Sequence, residues 1–206
     1  MADIYLASRS PRRRELLHQI GVRFETLLLR AEPRRPADVD ESQHPSESAE
    51  AYVERVALEK AVCGQRVLIA RSQVFHPVLA ADTVVVVDGQ ILGKPENGAQ
   101  AAQFLHQLSG RTHEVRTSVA LAAAPGPNVT PMLATSVSRV TLRTISDEEI
   151  QRYCDSNEPL DKAGGYAIQG RAAIFVAKLE GSYSGVVGLP LAETALLLMR
   201  AGIRIL

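Results

Sequence analysis

Residues 78–95 read VLAADTVVVVDGQILGKP, and this stretch sets one carboxylate, Asp82, inside the most apolar segment of the chain. Valines on both sides of it predict a strand that is buried on both faces. An ionised group in such a strand needs a cation, a metal or several hydrogen bonds to remain charged. We therefore expect Asp82 to have a partner in a functional site, the alternative being a carboxylate that only caps a loop.

The same stretch also contains a hairpin signal. Asp88 and Gly89 stand between two apolar runs, which is typical of a two-residue turn with both residues at positive φ. Residues 90–92 then return as a second strand and bring Lys94 near the strand that carries Asp82. Lys94 is thus either part of the same site or an ordinary surface lysine.

Composition narrows the classes of function that the chain can have. The 206 residues suit one large domain or two small lobes, and 23 basic residues balance 23 acidic ones. Zero net charge argues against a broad surface for duplex nucleic acid, and 4% aromatic residues without tryptophan argue against base-stacking platforms. We see no signal peptide, transmembrane span or disulfide between Cys63 and Cys154, and expect a cytoplasmic protein that binds no membrane.

Periodicity and turn residues predict an α/β protein. The predicted strands cover residues 4–7, 24–29, 78–87, 90–92, 112–123, 132–142 and 174–179, the fifth and sixth of which are expected to pair. The predicted helices cover residues 10–20, 48–63, 97–108, 146–157 and a last one from Pro190, with Leu196, Leu197 and Met199 in the core. Residues 65–77 are expected to be irregular or partly stranded, residues 161–170 a glycine-rich loop of close approach, and residues 181–185 a turn.

The start of the first helix is a candidate anion site. Ser10 is the expected N-cap before Pro11, and Ser8 lies just ahead of it. A helix N-terminus offers free backbone N–H groups and positive potential, which the arginines at 12–14 would reinforce. The alternative is that these arginines simply face water.

Two further features concern charge. The long polar loop at 30–47 contains Asp40 and Glu41, which either ligate a hard divalent cation or belong to a solvated acidic loop. In the following helix Lys60 falls on the apolar stripe, whereas Arg55 falls on the opposite face. Lys60 either snorkels past the end of the core or is aimed at an internal anion.

Seven motifs in this order resemble the Maf family of nucleoside triphosphate pyrophosphatases, also called septum formation inhibitors. They are LASRSPRR (6–13), ADTVV (81–85), LGKP (92–95), LSGRTH (108–113), EPLDKAG (158–164), IQG (168–170) and VGLP (187–190). The resemblance implies one α/β domain over residues 1–206, with an ITPase-like fold of two lobes around a mixed sheet and a cleft between them. It also implies a homodimer and a Mg²⁺ or Mn²⁺ cofactor.

The resemblance and the charges together suggest roles. Asp82 would be the general base for hydrolysis between the α and β phosphates and would share the metal with Glu41, although Glu32 and Asp40 remain alternative ligands. The triphosphate would be bound by Lys60, Lys94, Arg13 and the helix start at Ser8 and Ser10.

The resemblance further implies that Arg12, Thr83 and Gln169 separate a dTTP/UTP branch from one acting on 7-methyl-GTP. The amide of Gln169 offers one donor and one acceptor, which match uracil and thymine. In a regular strand Thr83 would point away from the face of Asp82. Two rival functions are a division regulator that acts by binding and a pyrophosphatase for deaminated purines such as ITP.

Overall fold

The computed structural model describes residues 2–30, 38–124, 126 and 130–205. Within these residues the chain forms seven strands: β1 (Ile4–Leu6), β2 (Phe24–Thr26), β3 (Val78–Val87), β4 (Gln90–Leu92), β5 (Thr112–Ala122), β6 (Met132–Leu142) and β7 (Val176–Glu180). It also forms six α-helices: α1 (Pro11–Gln19), α2 (Ala49–Ala70), α3 (Gly98–Leu108), α4 (Asp147–Cys154), α5 (Tyr183–Val187) and α6 (Leu191–Arg200). None of the helices described has the length and apolar character that crossing a membrane requires.

The strands form one mixed sheet in the order β2-β1-β3-β5-β6-β7, with β4 paired to β3. Strand β1 runs parallel to both β2 and β3, whereas the β3–β4 and β6–β7 pairs are antiparallel. The predicted α/β fold with a mixed sheet is therefore confirmed. Strands β5 and β6 are hydrogen-bonded neighbours, as expected.

The chain divides into two compact units. The first comprises Met1–Asp82, Thr117–Thr135 and Gly188–Leu206, and the second comprises Thr83–Arg116 and Ser136–Val187. The division falls inside β3, between Asp82 and Thr83. The expectation of a single domain over residues 1–206 stays a prediction.

In the first unit, helix α2 packs against the sheet and is longer than predicted. It ends at Ala70 rather than Cys63, so the prediction of irregular or partly stranded structure from residue 65 is wrong as far as residue 70. Gly64 marks a close helix–strand approach, because a Cβ there would lie 2.6 Å from Val78 Cγ1. One turn later Leu68 is fully buried, and this burial stabilises the extra helical turns.

Helix α6, also in the first unit, corrects a second prediction. Leu197 is buried as expected, but Leu196 and Met199 are each about half exposed. The buried face of the helix consists of Thr194, Leu197 and Leu198, which follow the three-to-four-residue spacing of one helical side. Apolar character alone did not separate this face from its exposed neighbours.

The second unit confirms the local turn signals. Asp88 and Gly89 both have positive φ, at 51° and 75°, and they join Val87 to its partner Gln90. The predicted capping box at Ser146 is complete. The glycine-rich segment forms short 3-10 turns rather than an open loop, and its Gly164 contacts strand β3, as the prediction of close approach required.

The remaining differences are at element ends. Strand β2 ends at Thr26 instead of Leu29, and β7 begins at Val176 instead of Ile174 because residues 171–175 form a 3-10 turn. The turn expected at residues 181–185 is mostly the short helix α5.

A buried histidine in the second unit gives a testable pH dependence. His113 Nε2 lies 2.7 Å from the Tyr166 hydroxyl, and burial lowers the pKa of His113 from 6.5 to about 4. Between these values the unfolded chain binds a proton that the folded protein does not, so the free energy of unfolding falls as the pH falls. We expect a loss of about 3 kcal/mol across this window, at about 1.36 kcal/mol per pKa unit.

Urea unfolding followed by circular dichroism from pH 7 to 4 measures this loss. The range from pH 6.5 to 5 is decisive, because carboxylates such as Glu149, whose pKa is lowered to about 2 by Arg143, lose their contribution only at lower pH. The variant His113→Gln keeps a partner for Tyr166 and should flatten the slope in that range. An unchanged slope in this variant would contradict the assignment.

Candidate active site

Asp82 lies in the middle of β3 and is buried, with 9% of its surface exposed. Its Oδ1 accepts a hydrogen bond from Lys60 Nζ at 2.9 Å. The alternative that Asp82 caps a loop is therefore excluded. The sequence predicted that Asp82 has a partner, and the structure shows that this partner is Lys60. A buried carboxylate with an opposite charge in contact is the arrangement that keeps an ionised group stable inside a protein.

Lys60 joins two carboxylates. Its Nζ lies 3.0 Å from Glu41 Oε2 as well as 2.9 Å from Asp82 Oδ1, and only 13% of its side chain is exposed. Of the two interpretations left open for this lysine, the internal anion is the one found. A second basic side chain, Arg13, also interacts with the charges of Asp82 and Glu41, so two carboxylates and two basic groups lie close together here.

Glu41 rather than Asp40 is the acid at this position. Asp40 is exposed, and its Oδ1 accepts hydrogen bonds from the backbone N–H and the hydroxyl of Ser42 at 2.9 and 2.7 Å. Its carboxylate thus closes a local turn. Glu32, the third candidate, lies outside the described residues.

The start of α1 supplies a partly buried arginine beside Asp82. Arg13 donates from Nη1 to the carbonyl oxygen of Ala81 and from Nε to that of Gly188, both at 2.7 Å. Burial lowers the pKa of Arg13, and the negative charge of Asp82 opposes this shift. Arg13 therefore fixes the backbone next to Asp82, and the alternative that it faces water is excluded.

The serines at the helix start are ordered around the same arginine. Ser8 is buried, and its Oγ accepts from the backbone N–H of Ser10 at 3.2 Å and from Arg13 Nη1 at 3.4 Å. Ser10 is the N-cap position, as predicted, although its side chain makes no capping hydrogen bond. Arg12 is partly exposed on the first turn.

The other predicted site residues belong to the second unit. Lys94 follows β4 and is exposed, and Gln169 is exposed in the glycine-rich segment. Thr83 follows Asp82 within uninterrupted β3, so alternation turns its side chain to the opposite face. The roles of these three residues, like that of Arg12, stay predictions.

The donor set at Asp82 and Glu41 fits a divalent metal ion. Both side chains offer hard oxygen ligands, and both already converge on a single cationic atom of Lys60. In the part of the chain that the structure describes, no group of three or more His, Cys, Asp or Glu residues could hold a metal. One or two carboxylates completed by substrate phosphates are, however, a common site for Mg²⁺.

Sequence reasoning missed the residues that hold the loop of Glu41. Tyr52 donates from its hydroxyl to the carbonyl oxygen of Glu41 at 2.7 Å, and Arg55 donates to Asp40 and Ser42. Burial and the charges of Asp82 and Glu41 raise the pKa of Tyr52. Tyr52 and Arg55 are three residues apart and therefore neighbours on the surface of α2, which could have indicated a shared contact. The hydrophobic periodicity of the helix instead assigned Arg55 to the solvent-exposed face.

Together these features define an α/β protein with a carboxylate–lysine–carboxylate cluster beside an arginine-bearing helix start, a site suited to a phosphorylated substrate and a metal ion. The chain belongs to the Maf family, because residues 3–201 match the family described as Maf-like protein.

Relatives from three bacteria named dTTP/UTP pyrophosphatase align over nearly the whole chain. The protein from Aromatoleum aromaticum is 55% identical, and the one from Nitrosospira multiformis is 54% identical, each over 98% of this chain and 96% of its own length. The protein from Dechloromonas aromatica is 50% identical over 98% of both chains. The structure of the Staphylococcus aureus Ham1 protein aligns over 68% of this chain and 71% of its own, at 15% identity and a TM-score of 0.42, which is too low for any inference.

Proposed function

We propose that this protein hydrolyses dTTP and UTP between the α and β phosphates, giving the nucleoside monophosphate and pyrophosphate. The observation that carries the proposal is the cluster in which Lys60 joins Asp82 and Glu41, within a chain 50–55% identical to proteins named dTTP/UTP pyrophosphatase. Phosphoryl transfer needs neutralised oxygens and a placed nucleophile, with little covalent work for the protein.

Asp82 is the general base of the proposed reaction. Its Oδ1 accepts the hydrogen bond from Lys60, and we assign Oδ2 to accept the proton of the attacking water. Lys60 offsets the negative charge of Asp82 in the apolar strand, and Arg13 holds the preceding carbonyl group in place. A water oriented in this way attacks the α phosphorus in line with the leaving pyrophosphate.

Glu41 and Asp82 would hold the divalent cation, Mg²⁺ or Mn²⁺. When bound, such a cation neutralises phosphate oxygens and the charge that develops on the leaving group. Lys60, Lys94, Arg13 and the helix start at Ser8 and Ser10 are assigned to bind the triphosphate. A helix N-terminus with nearby basic side chains is a general site for phosphate.

We assign recognition of the nucleotide's base to Arg12, Thr83 and Gln169. The side-chain amide of Gln169 can accept from N3–H of uracil or thymine and donate to a carbonyl group of the base. Cytosine presents the opposite pattern, which an amide meets only by flipping, so discrimination rather than exclusion is expected.

The test is product analysis across a panel of triphosphates, with Mg²⁺ and Mn²⁺ compared. We expect pyrophosphate as the product and UTP and dTTP as the best substrates, with 5-methyluridine and pseudouridine triphosphates accepted. Release of orthophosphate would overturn the reaction, and faster hydrolysis of 7-methyl-GTP or ITP would overturn the base assignment. The variant Gln169→Glu should lower turnover of UTP, because a carboxylate cannot donate to a carbonyl group.

The homodimer implied by the family resemblance is also proposed. Light scattering of the purified protein measures its mass, and a monomer at micromolar concentration would contradict this assignment.

A further inference from the structure

Three consecutive backbone carbonyl groups in the loop before α2 are bound by side chains of that helix. Arg55 donates from Nη1 to the carbonyl oxygen of Asp40 at 3.0 Å and from Nη2 to that of Ser42 at 2.8 Å. Between them, the hydroxyl of Tyr52 donates to the carbonyl oxygen of Glu41 at 2.7 Å. The peptide units on both sides of Glu41 are therefore tied to one rigid helix.

Arg55 is itself held in one orientation. Its Nε and Nη2 donate to the two carboxylate oxygens of Glu47 at 2.7 and 3.0 Å, and only 18% and 9% of the two side chains are exposed. Glu47 also accepts from the backbone N–H of His44 at 3.0 Å, which closes the loop on itself. These hydrogen bonds lower the pKa of Glu47 to about 2, so the pair stays charged at neutral pH.

Lys60 completes the arrangement from the same helix. It binds the side chain of Glu41, whereas Tyr52 and Arg55 bind the backbone around it. The side chain of Glu41 is 55% exposed, so burial does not fix its position. The carboxylate is therefore held beside Asp82 by its ion pair with Lys60 together with the hydrogen bonds that fix the backbone around it.

We propose that Arg55, assisted by Tyr52, is a positioning residue that holds the Glu41 carboxylate beside Asp82 and thereby sets the affinity for the divalent cation. This inference rests on the proposed function. Residues behind a metal ligand that orient it typically change metal affinity or activity about 10- to 100-fold when removed. The planar guanidinium group suits the role, because its five donors bind two carbonyl groups and both oxygens of a carboxylate together, whereas an ammonium group has only three donors.

The test compares Arg55→Lys and Arg55→Met with Arg66→Met, a change at an exposed arginine of the same helix. Binding of Mn²⁺ is measured by electron paramagnetic resonance with a non-hydrolysable UTP analogue, and the Mg²⁺ dependence of UTP hydrolysis is measured separately. Both Arg55 variants should bind Mn²⁺ about 10- to 100-fold more weakly. Their kcat at saturating metal should stay within about threefold of the starting protein, because the catalytic groups remain.

Two results would overturn the proposal. One is Mn²⁺ affinity in the Arg55 variants equal to that of Arg66→Met, and the other is full restoration by Arg55→Lys, which would show that charge alone suffices. If circular dichroism shows that Arg55→Met does not fold, the Mn²⁺ affinities of Arg55→Lys and Tyr52→Phe test the proposal instead. Tyr52→Phe removes one hydroxyl donor while keeping the ring, and it should weaken Mn²⁺ binding by less than Arg55→Lys does.

A double-mutant cycle separates this inference from the proposed function. If Arg55 acts through Glu41, adding Arg55→Lys to Glu41→Gln should cause little further loss of Mn²⁺ affinity. Additive losses would show that Arg55 acts elsewhere and would overturn the inference alone. A wild-type protein that releases no pyrophosphate from UTP would instead overturn the proposed function, whatever the cycle gives.

Discussion

The change Asp82→Asn is expected to lower kcat for UTP hydrolysis by about a hundredfold or more, as the loss of a positioned general base does. An amide cannot accept the proton of the attacking water at neutral pH, and it is a poorer metal ligand than a carboxylate. The fold should survive, because asparagine has nearly the same shape and Lys60 keeps Glu41 as a charged partner. Single-turnover rates at saturating Mg²⁺ measure the loss without the contribution of weaker metal binding.

A matched control is Asp88→Asn, at the exposed hairpin that follows the same strand. Asp88 pairs with Arg111 at the surface and has a positive φ, which asparagine also adopts readily. This variant should keep its activity and its melting temperature. If Asp82→Asn retained more than about a tenth of the starting rate, assignment of Asp82 as the general base would be wrong.

The largest effect on stability is expected from Gly164→Ala. Gly164 has a φ of 68°, and a Cβ there would lie 2.8 Å from Val85 Cγ2 and 3.0 Å from Val85 Cβ and Cγ1. The left-handed conformation costs about 1–2 kcal/mol for a residue with a side chain. Overpacking in a dense core adds about 1–3 kcal/mol, so the free energy of unfolding should fall by about 2–5 kcal/mol.

Gly89→Ala separates the two costs. Gly89 has a similar φ of 75°, but a Cβ there meets nothing within 4 Å, so only the backbone cost applies. Urea unfolding should show a clearly larger loss for Gly164→Ala than for Gly89→Ala. The loss from Gly164→Ala should also shrink in a Val85→Ala background, where the colliding methyl groups are absent; equal losses at the two glycines would contradict the close contact.

Features governed by a few neighbouring residues could be predicted from the sequence. The hairpin at Asp88 and Gly89, the capping box at Ser146 and the start of α1 before Pro11 all depend on local φ and ψ values or on hydrogen bonds across three residues. The apolar run around Asp82 also indicated that this carboxylate is buried and has a partner. Local chemistry is enough for these conclusions, because distant residues take little part in them.

The identity of the partner needed the packing of α2 on β3. Lys60 and Asp82 are 22 residues apart, and the spacing along α2 left Lys60 with two interpretations. The close approach at Gly64, where no side chain intervenes between helix and strand, brings this face of α2 onto β3. The same packing extends α2 to Ala70, beyond the end predicted from sequence.

By itself, then, the sequence determined the α/β class, the family and the carboxylate around which the site is built. The sequence also named Glu41, with Asp40 and Glu32 as alternatives, but only the tertiary structure showed that Glu41 contacts Lys60 and gave Arg55 a structural role. Arg55 lies on the face of α2 that periodicity assigns to solvent, and the loop of residues 40–47 folds back over that face. The physical reason is that three of the contacts to this loop go to backbone carbonyl groups, which every residue has, and the ion pair of Arg55 with Glu47 joins residues with no regular spacing between them.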